Sequence, residues 1–141
     1  MTTSTRERLA RGPVPVSAIP PLEPGDRLTR DEFERRYQAM PELKKAELIE
    51  GVVYMPSPVR VERHARPHAR IIGWLIHYEA HTPGVAVADN ATARLDLDNE
   101  PQPDAMLYSA PEHGGQVRIG PDDYVESAPD LVVEVASSSV S

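Results

Sequence analysis

The chain has 141 residues, a formal net charge of -7 from 15 lysines and arginines against 22 acids, and no cysteine. That length holds one domain, and the lack of cysteine excludes a disulfide framework, a thiolate metal site and a thiol nucleophile. The acidic balance argues against non-specific coating of nucleic acid, which is driven by lysine and arginine. No run reaches the ~18 apolar residues of a membrane helix and the N-terminus has no apolar secretion block, so the expectation is a soluble, cytoplasmic protein.

Pro13, Pro15, Pro20, Pro21 and Pro24 interrupt any regular element in residues 1–25, which read as a flexible arm ahead of a domain over 26–141. Thr29 and Glu32 then form a capping box, with Leu28 able to staple onto Phe33. They predict a helix to about Met40, before Pro41. Lys45–Ile49 and Val52–Met55 flank Glu50-Gly51, the spacing of a two-residue hairpin. Alternation puts Glu47 and Ile49 on one face, Ala46 and Leu48 on the other. After Pro56-Ser57-Pro58, the residues Ile71, Ile72, Trp74, Leu75 and Tyr78 recur at helical spacing. Pro67 suits the first turn, and Thr82-Pro83-Gly84 ends the helix. Trp74 and Tyr78, four apart, read as core packing. Strands are predicted at 85–88, 91–97 and 104–108, the first pair turning at Asp89-Asn90 and the second at 98–100. Pro111 to Gly115 reads as a loop, 116–125 as a short excursion, and Leu131 to Ala136 as the last strand. This order indicates an α/β fold with a mixed sheet flanked by helices.

Chemistry concentrates in a few acids. Glu134 stands inside Leu131-Val132-Val133-Glu134-Val135-Ala136, a composition normally buried on both faces, where an ionised carboxylate needs a partner. Asp104 opens the apolar run that follows Pro101-Gln102-Pro103. Two acids on neighbouring strands suit a divalent metal. The plainer alternatives are an ion pair between Glu134 and Arg94, a turn cap for Asp104, and a cross-strand ion pair of Glu47 with Lys44 or Lys45. Arg60, Arg63, Arg66 and Arg70 cluster with His64 and His68, either as a polyanion contact or as a solvated charged face. His68 starts a helix, where it could bind phosphate, orient a carboxylate or face solvent. His64, His77, His81 and His113 show no zinc-ligand spacing and read as surface residues.

Leu28-Thr29-Arg30-Asp31-Glu32-Phe33, Ala46 to Pro58, His68, Pro101-Gln102-Pro103-Asp104 and Ala128-Pro129-Asp130-Leu131-Val132-Val133-Glu134-Val135, taken together in this order, resemble the Uma2 family. That family is similar to the PD-(D/E)xK restriction-endonuclease-like superfamily. The resemblance implies a mixed sheet flanked by helices, Mg²⁺ or Mn²⁺ as cofactor, DNA as substrate and pairing into a homodimer. It assigns Asp104 and Glu134 as metal ligands and Glu47 as the additional catalytic glutamate; at the mouth of such a site, the residues themselves offer His68, Arg66 and Arg70 as nucleic-acid contacts. It also implies a lysine after the motif acids, where this sequence has Ala136. The two lysines, Lys44 and Lys45, both precede them, so the chain resembles a member incomplete at its C-terminal side. The alternative it leaves open is an inactive remnant that binds metal or protein.

Overall fold

The computed structural model describes residues 18–56 and 61–136. Most of the expected arm, residues 1–17, and Ser57, Pro58 and Arg60 lie outside the described residues. β1 (Glu47–Ile49) and β2 (Val52–Tyr54) form the expected antiparallel hairpin, with Ile49 opposite Val52. Both turn residues take positive φ, 49° at Glu50 and 74° at Gly51, the requirement of a type I′ turn. Asn99 Oδ1 accepts a hydrogen bond from the Glu50 amide at 2.8 Å and steadies the strained position. Ala46, Leu48 and Val53 are buried while Glu47 and Ile49 are half-buried, as alternation requires.

α1 (Arg30–Gln38) begins at Thr29, whose hydroxyl accepts from the Glu32 amide at 3.4 Å. The Glu32 carboxylate turns to Arg35 and Arg36 rather than back to the cap. Leu28 packs on a core of Leu22, Phe33, Ala46, Leu48 and Val53. Leu22 thus belongs to the core, although its flanking prolines suggested an arm. Backbone hydrogen bonds from Gly25 to Val53 and from Val53 to Asp26 tie this segment to the hairpin.

A π-helical turn at Val61–Ala65 leads into α2 (Arg66–His81), with Pro67 in its first turn. Only Leu75 is buried on α2. Trp74 and Tyr78 are 63% and 49% exposed, contrary to the expectation of core packing, because α2 meets β3 (Val85–Asp89) and β5 (Ala105–Ser109) along one narrow face.

The remaining strands are β4 (Ala93–Arg94), β6 (Arg118–Ile119), β7 (Val125–Glu126) and β8 (Leu131–Val133). A 3-10 turn at Pro111–His113 follows β5. The expected hairpin at Asp89-Asn90 does not form. β3 pairs antiparallel with β5, which pairs antiparallel with β8, while β4 joins β7 in parallel and β7 pairs antiparallel with β6. Asn90, with φ of 50°, sends its amide to the Asp104 carbonyl and turns the chain out of the first sheet. β4 stops early because the Asp96 side chain captures the Asp98 amide and the Asn99 side chain, making a local turn where a longer strand was expected.

β8 also departs from expectation. Leu131 and Val132 are 42% and 51% exposed, and Glu134 lies exposed just beyond the strand. β5 takes the central place instead, with Ala105 and Met106 fully buried. Met106 joins Ala93, Val117 and Val125 in a second core. The result is an α/β fold in which two helices flank small antiparallel and mixed sheets. No described helix is long and apolar enough to cross a membrane.

Leu48→Ala should cost about 2–5 kcal/mol of unfolding free energy, as buried leucine truncations do. Val132→Ala should stay within about 0.5 kcal/mol, as at an exposed position. Denaturant unfolding of both variants checks the order; a larger loss at Val132 contradicts this placement of the core.

Candidate functional site

Asp104 is 4% exposed at the mouth of β5. Its Oδ2 accepts the Val135 amide at 2.7 Å and lies 3.3 Å from His64 Nε2, and its Oδ1 lies 3.5 Å from Lys45 Nζ. The β5–β8 register pairs Ala105 with Val133; one step further it sets Asp104 opposite Glu134. The two acids are therefore cross-strand neighbours, an arrangement that destabilises like charges. Glu47 approaches from β1, and its Oε1 accepts the Gln102 amide at 2.7 Å. Pro101-Gln102-Pro103 thereby holds Glu47 and leads into Asp104.

His68 Nε2 stands 2.7 Å from the Asp104 carbonyl and 3.0 Å from Asp89 Oδ1. Both are acceptors, so this nitrogen carries the hydrogen. The ring clamps the end of β3 to the start of β5. His64 lies one helical turn earlier, its ring centroid 5.6 Å from that of His68.

The structure brings Glu47, Asp104 and Glu134 together, and His68 reaches them through the Asp104 backbone. Arg66 is exposed and paired with Glu62 at 3.2 Å, and Arg70 is exposed on α2. Arg94 does not pair with Glu134, because it is bound by Glu34, Asp122 and Glu126 at 2.7–3.0 Å and lies over the Tyr124 ring. Asp104 does not cap a local turn either, since its carboxylate takes an amide 31 residues away. Lys45 and His64 are the residues sequence reasoning missed. Lys45 stands two positions before Glu47, the period that puts strand residues on one face. His64 stands four before His68, the helical neighbour spacing. Among the described residues no group of three or more His, Asp or Glu side chains is placed to hold a metal ion.

A family model described as "Putative restriction endonuclease" (Uma2) matches residues 30–141, a span that includes every residue of this site. The chain belongs to the Uma2 family. No curated protein matches it. The α/β architecture of this Uma2 protein is consistent with a restriction-endonuclease-like domain.

Within this Uma2 site the two cross-strand acids shift in opposite directions. Burial would push Asp104 up, but the Val135 amide, Lys45 and His64 outweigh it and hold the carboxyl below the ordinary aspartate value. Glu134 is raised, first by desolvation and then by the charges of Asp104 and Glu47, with Lys45 opposing. A carboxylate depressed in the fold stabilises it above the unfolded value, and that stability is lost as pH falls through the folded value. A raised carboxylate does the reverse, so ionised Glu134 weakens the fold as pH rises through its folded value. In chelator at neutral pH, Glu134→Gln should therefore raise the melting temperature, by less than about 1 kcal/mol equivalent because water screens an exposed group. The gain should vanish below about pH 4, where the unfolded carboxyl is also protonated. Asp104→Asn should lower the neutral-pH melting temperature and flatten the acid side of the profile. Thermal melts across pH measure both; no gain from Glu134→Gln contradicts the electrostatic contact.

Proposed function

We propose that this Uma2 protein is a divalent-metal-dependent endonuclease that hydrolyses DNA phosphodiester bonds, with Asp104 and Glu134 as metal ligands and Glu47 as accessory ligand or water-positioning base. The observation that carries this reading is the convergence of Glu47, Asp104 and Glu134 from separate parts of the chain, with Lys45 Nζ 3.5 Å from Asp104. The donors are all carboxylate oxygens, the preference of Mg²⁺ and Mn²⁺. Mg²⁺ is commonly held by one or two carboxylates together with waters and substrate phosphates. A site without a complete protein cage is compatible with that chemistry.

When bound, the metal supplies Lewis-acid stabilisation of the phosphoryl oxygens and an acidified water. The chain's own residues supply position and charge. The Val135 amide fixes Asp104, and the Gln102 amide fixes one oxygen of Glu47. Lys45 is the one lysine at the site, 20% exposed. It offers the positive charge that offsets negative charge developing on the phosphate. His68 acts through the Asp104 backbone rather than on phosphate directly. Arg66 and Arg70, one turn apart at the exposed start of α2, are suited to neighbouring DNA phosphates.

Cleavage of plasmid and single-stranded DNA with Mn²⁺ tests the reading. Asp104→Asn should abolish activity. Lys45→Ala should lower kcat by about 10²–10³ with little change in KM, the size seen for loss of one charge-stabilising donor. Arg66→Ala and Arg70→Ala should weaken DNA binding and lessen its salt dependence. Metal-dependent cleavage that survives Asp104→Asn would overturn the assignment. The contacts of Lys45 and His64 with Asp104 favour a second reading, an ion-paired interaction module without metal. That module predicts no change in melting temperature with Mn²⁺, whereas a metal at 100 times its Kd should add about 2.7 kcal/mol.

A further inference from the structure

A second site lies at Glu100. Glu34, Tyr37, Lys44, Thr92, Glu100 and Tyr124 line a cavity of about 190 Å³ that Asp104 does not border. Glu100 is 4% exposed, and its Oε2 has no hydrogen-bond partner among the described residues. A buried carboxylate oxygen left without a donor is costly and uncommon in folded proteins. Of the two arginines that bear on Glu100, Arg30 leaves its own buried Nε unpartnered and so does not reach Oε2, and Arg94 is committed elsewhere. Arg94 is engaged by Glu34, Asp122 and Glu126 at 2.7, 2.7 and 3.0 Å. Glu34, beside Glu100, carries the same sign. Burial first, and then a side-chain hydrogen bond with Glu34 and its charge, push the Glu100 carboxyl up to about 8, so a cation that pairs with its ionised form displaces a proton near neutral pH.

The cavity's chemistry discriminates among ligands. A phosphate or carboxylate would meet Glu34 and bring no donor for Oε2. A purely apolar group would also leave Oε2 without a donor. A positively charged group with N–H donors satisfies both the charge and the orphaned oxygen, and the Tyr37 ring in the lining suits a cation. We propose that this cavity is a binding site for a small free organic cation bearing a guanidinium or primary ammonium group, with Glu100 as its counter-ion. This site does not depend on the nuclease reading.

Calorimetric titration of the full chain with agmatine, spermidine and tetramethylammonium tests it. Agmatine and spermidine offer N–H donors, whereas tetramethylammonium carries the charge with no donor. Agmatine or spermidine should bind and tetramethylammonium should not. Glu100→Gln, which keeps the shape and removes the charge, should weaken binding roughly tenfold or more, the scale of a charged hydrogen bond. Lys44→Gln, an exposed rim change that removes a competing charge, should tighten it roughly twofold to fivefold. It keeps the test decisive if Glu100→Gln fails to fold. Affinity should rise as pH passes through about 8, and Glu100→Gln should abolish that rise. The same variant separates Glu100 from the other groups facing it: Glu34 and Arg30 of α1, Arg94 of β4, Lys44, Asp122 and Tyr124. Absent binding, equal binding of tetramethylammonium, or affinity unchanged in Glu100→Gln overturns the proposal.

Discussion

The acidic site is organised around the buried carboxylate of Asp104, which sits where water cannot satisfy it and must find donors within the protein. It finds the Val135 amide just past β8, Lys45 just before β1 and His64 at the approach to α2. Its carbonyl meanwhile binds His68. One residue thus gathers segments that are far apart in sequence. The Val135 contact, from backbone to side chain, draws the residues just past β8 toward Asp104. Glu134, next to Val135, is raised first by desolvation and then by the charges of Asp104 and Glu47.

The segment from Glu100 to Asp104 serves two surfaces of opposite electrostatic character. Asp104 is compensated by a lysine, a histidine and an amide, and its carboxyl is driven down. Glu100, four residues earlier, is buried beside Glu34 and its carboxyl is driven up. Gln102 lies between them. Its amide binds Glu47 on the Asp104 side, and its side chain binds Ala46 and Tyr37 on the other. The two acids nonetheless sit in separate environments, since Glu100 lines a cavity that Asp104 does not border.

The features legible in the sequence were the local ones. The Glu50-Gly51 turn, the Thr29 cap and the alternation of Ala46 and Leu48 against Glu47 follow from backbone chemistry within a few residues. Glu134 and Asp104 stood out because one interrupts and the other opens an apolar run, whereas Glu47 was marked by the family resemblance. Partner choice was not legible in the same way. Arg94 and Glu134 looked complementary, yet Arg94 was taken by three nearer carboxylates. Lys45 was read as a partner for Glu47, but its ammonium lies by Asp104 while Glu47 takes the Gln102 amide. The apolar run at 131–136 suggested a doubly buried strand, while burial went to β5 because it has a neighbour on each side. Trp74 and Tyr78 had core spacing, but α2 offers the sheets only the narrow face centred on Leu75.

The central claim is that the Asp104 carboxylate, with Glu134 across from it, holds a divalent metal. The most direct measurement is a Mn²⁺ titration followed by electron paramagnetic resonance, comparing the full chain with Asp104→Asn. The account predicts that the full chain removes free Mn²⁺ from solution at one site and that Asp104→Asn loses this site while remaining folded. Equal Mn²⁺ binding by the two proteins, or none by the full chain, would contradict it.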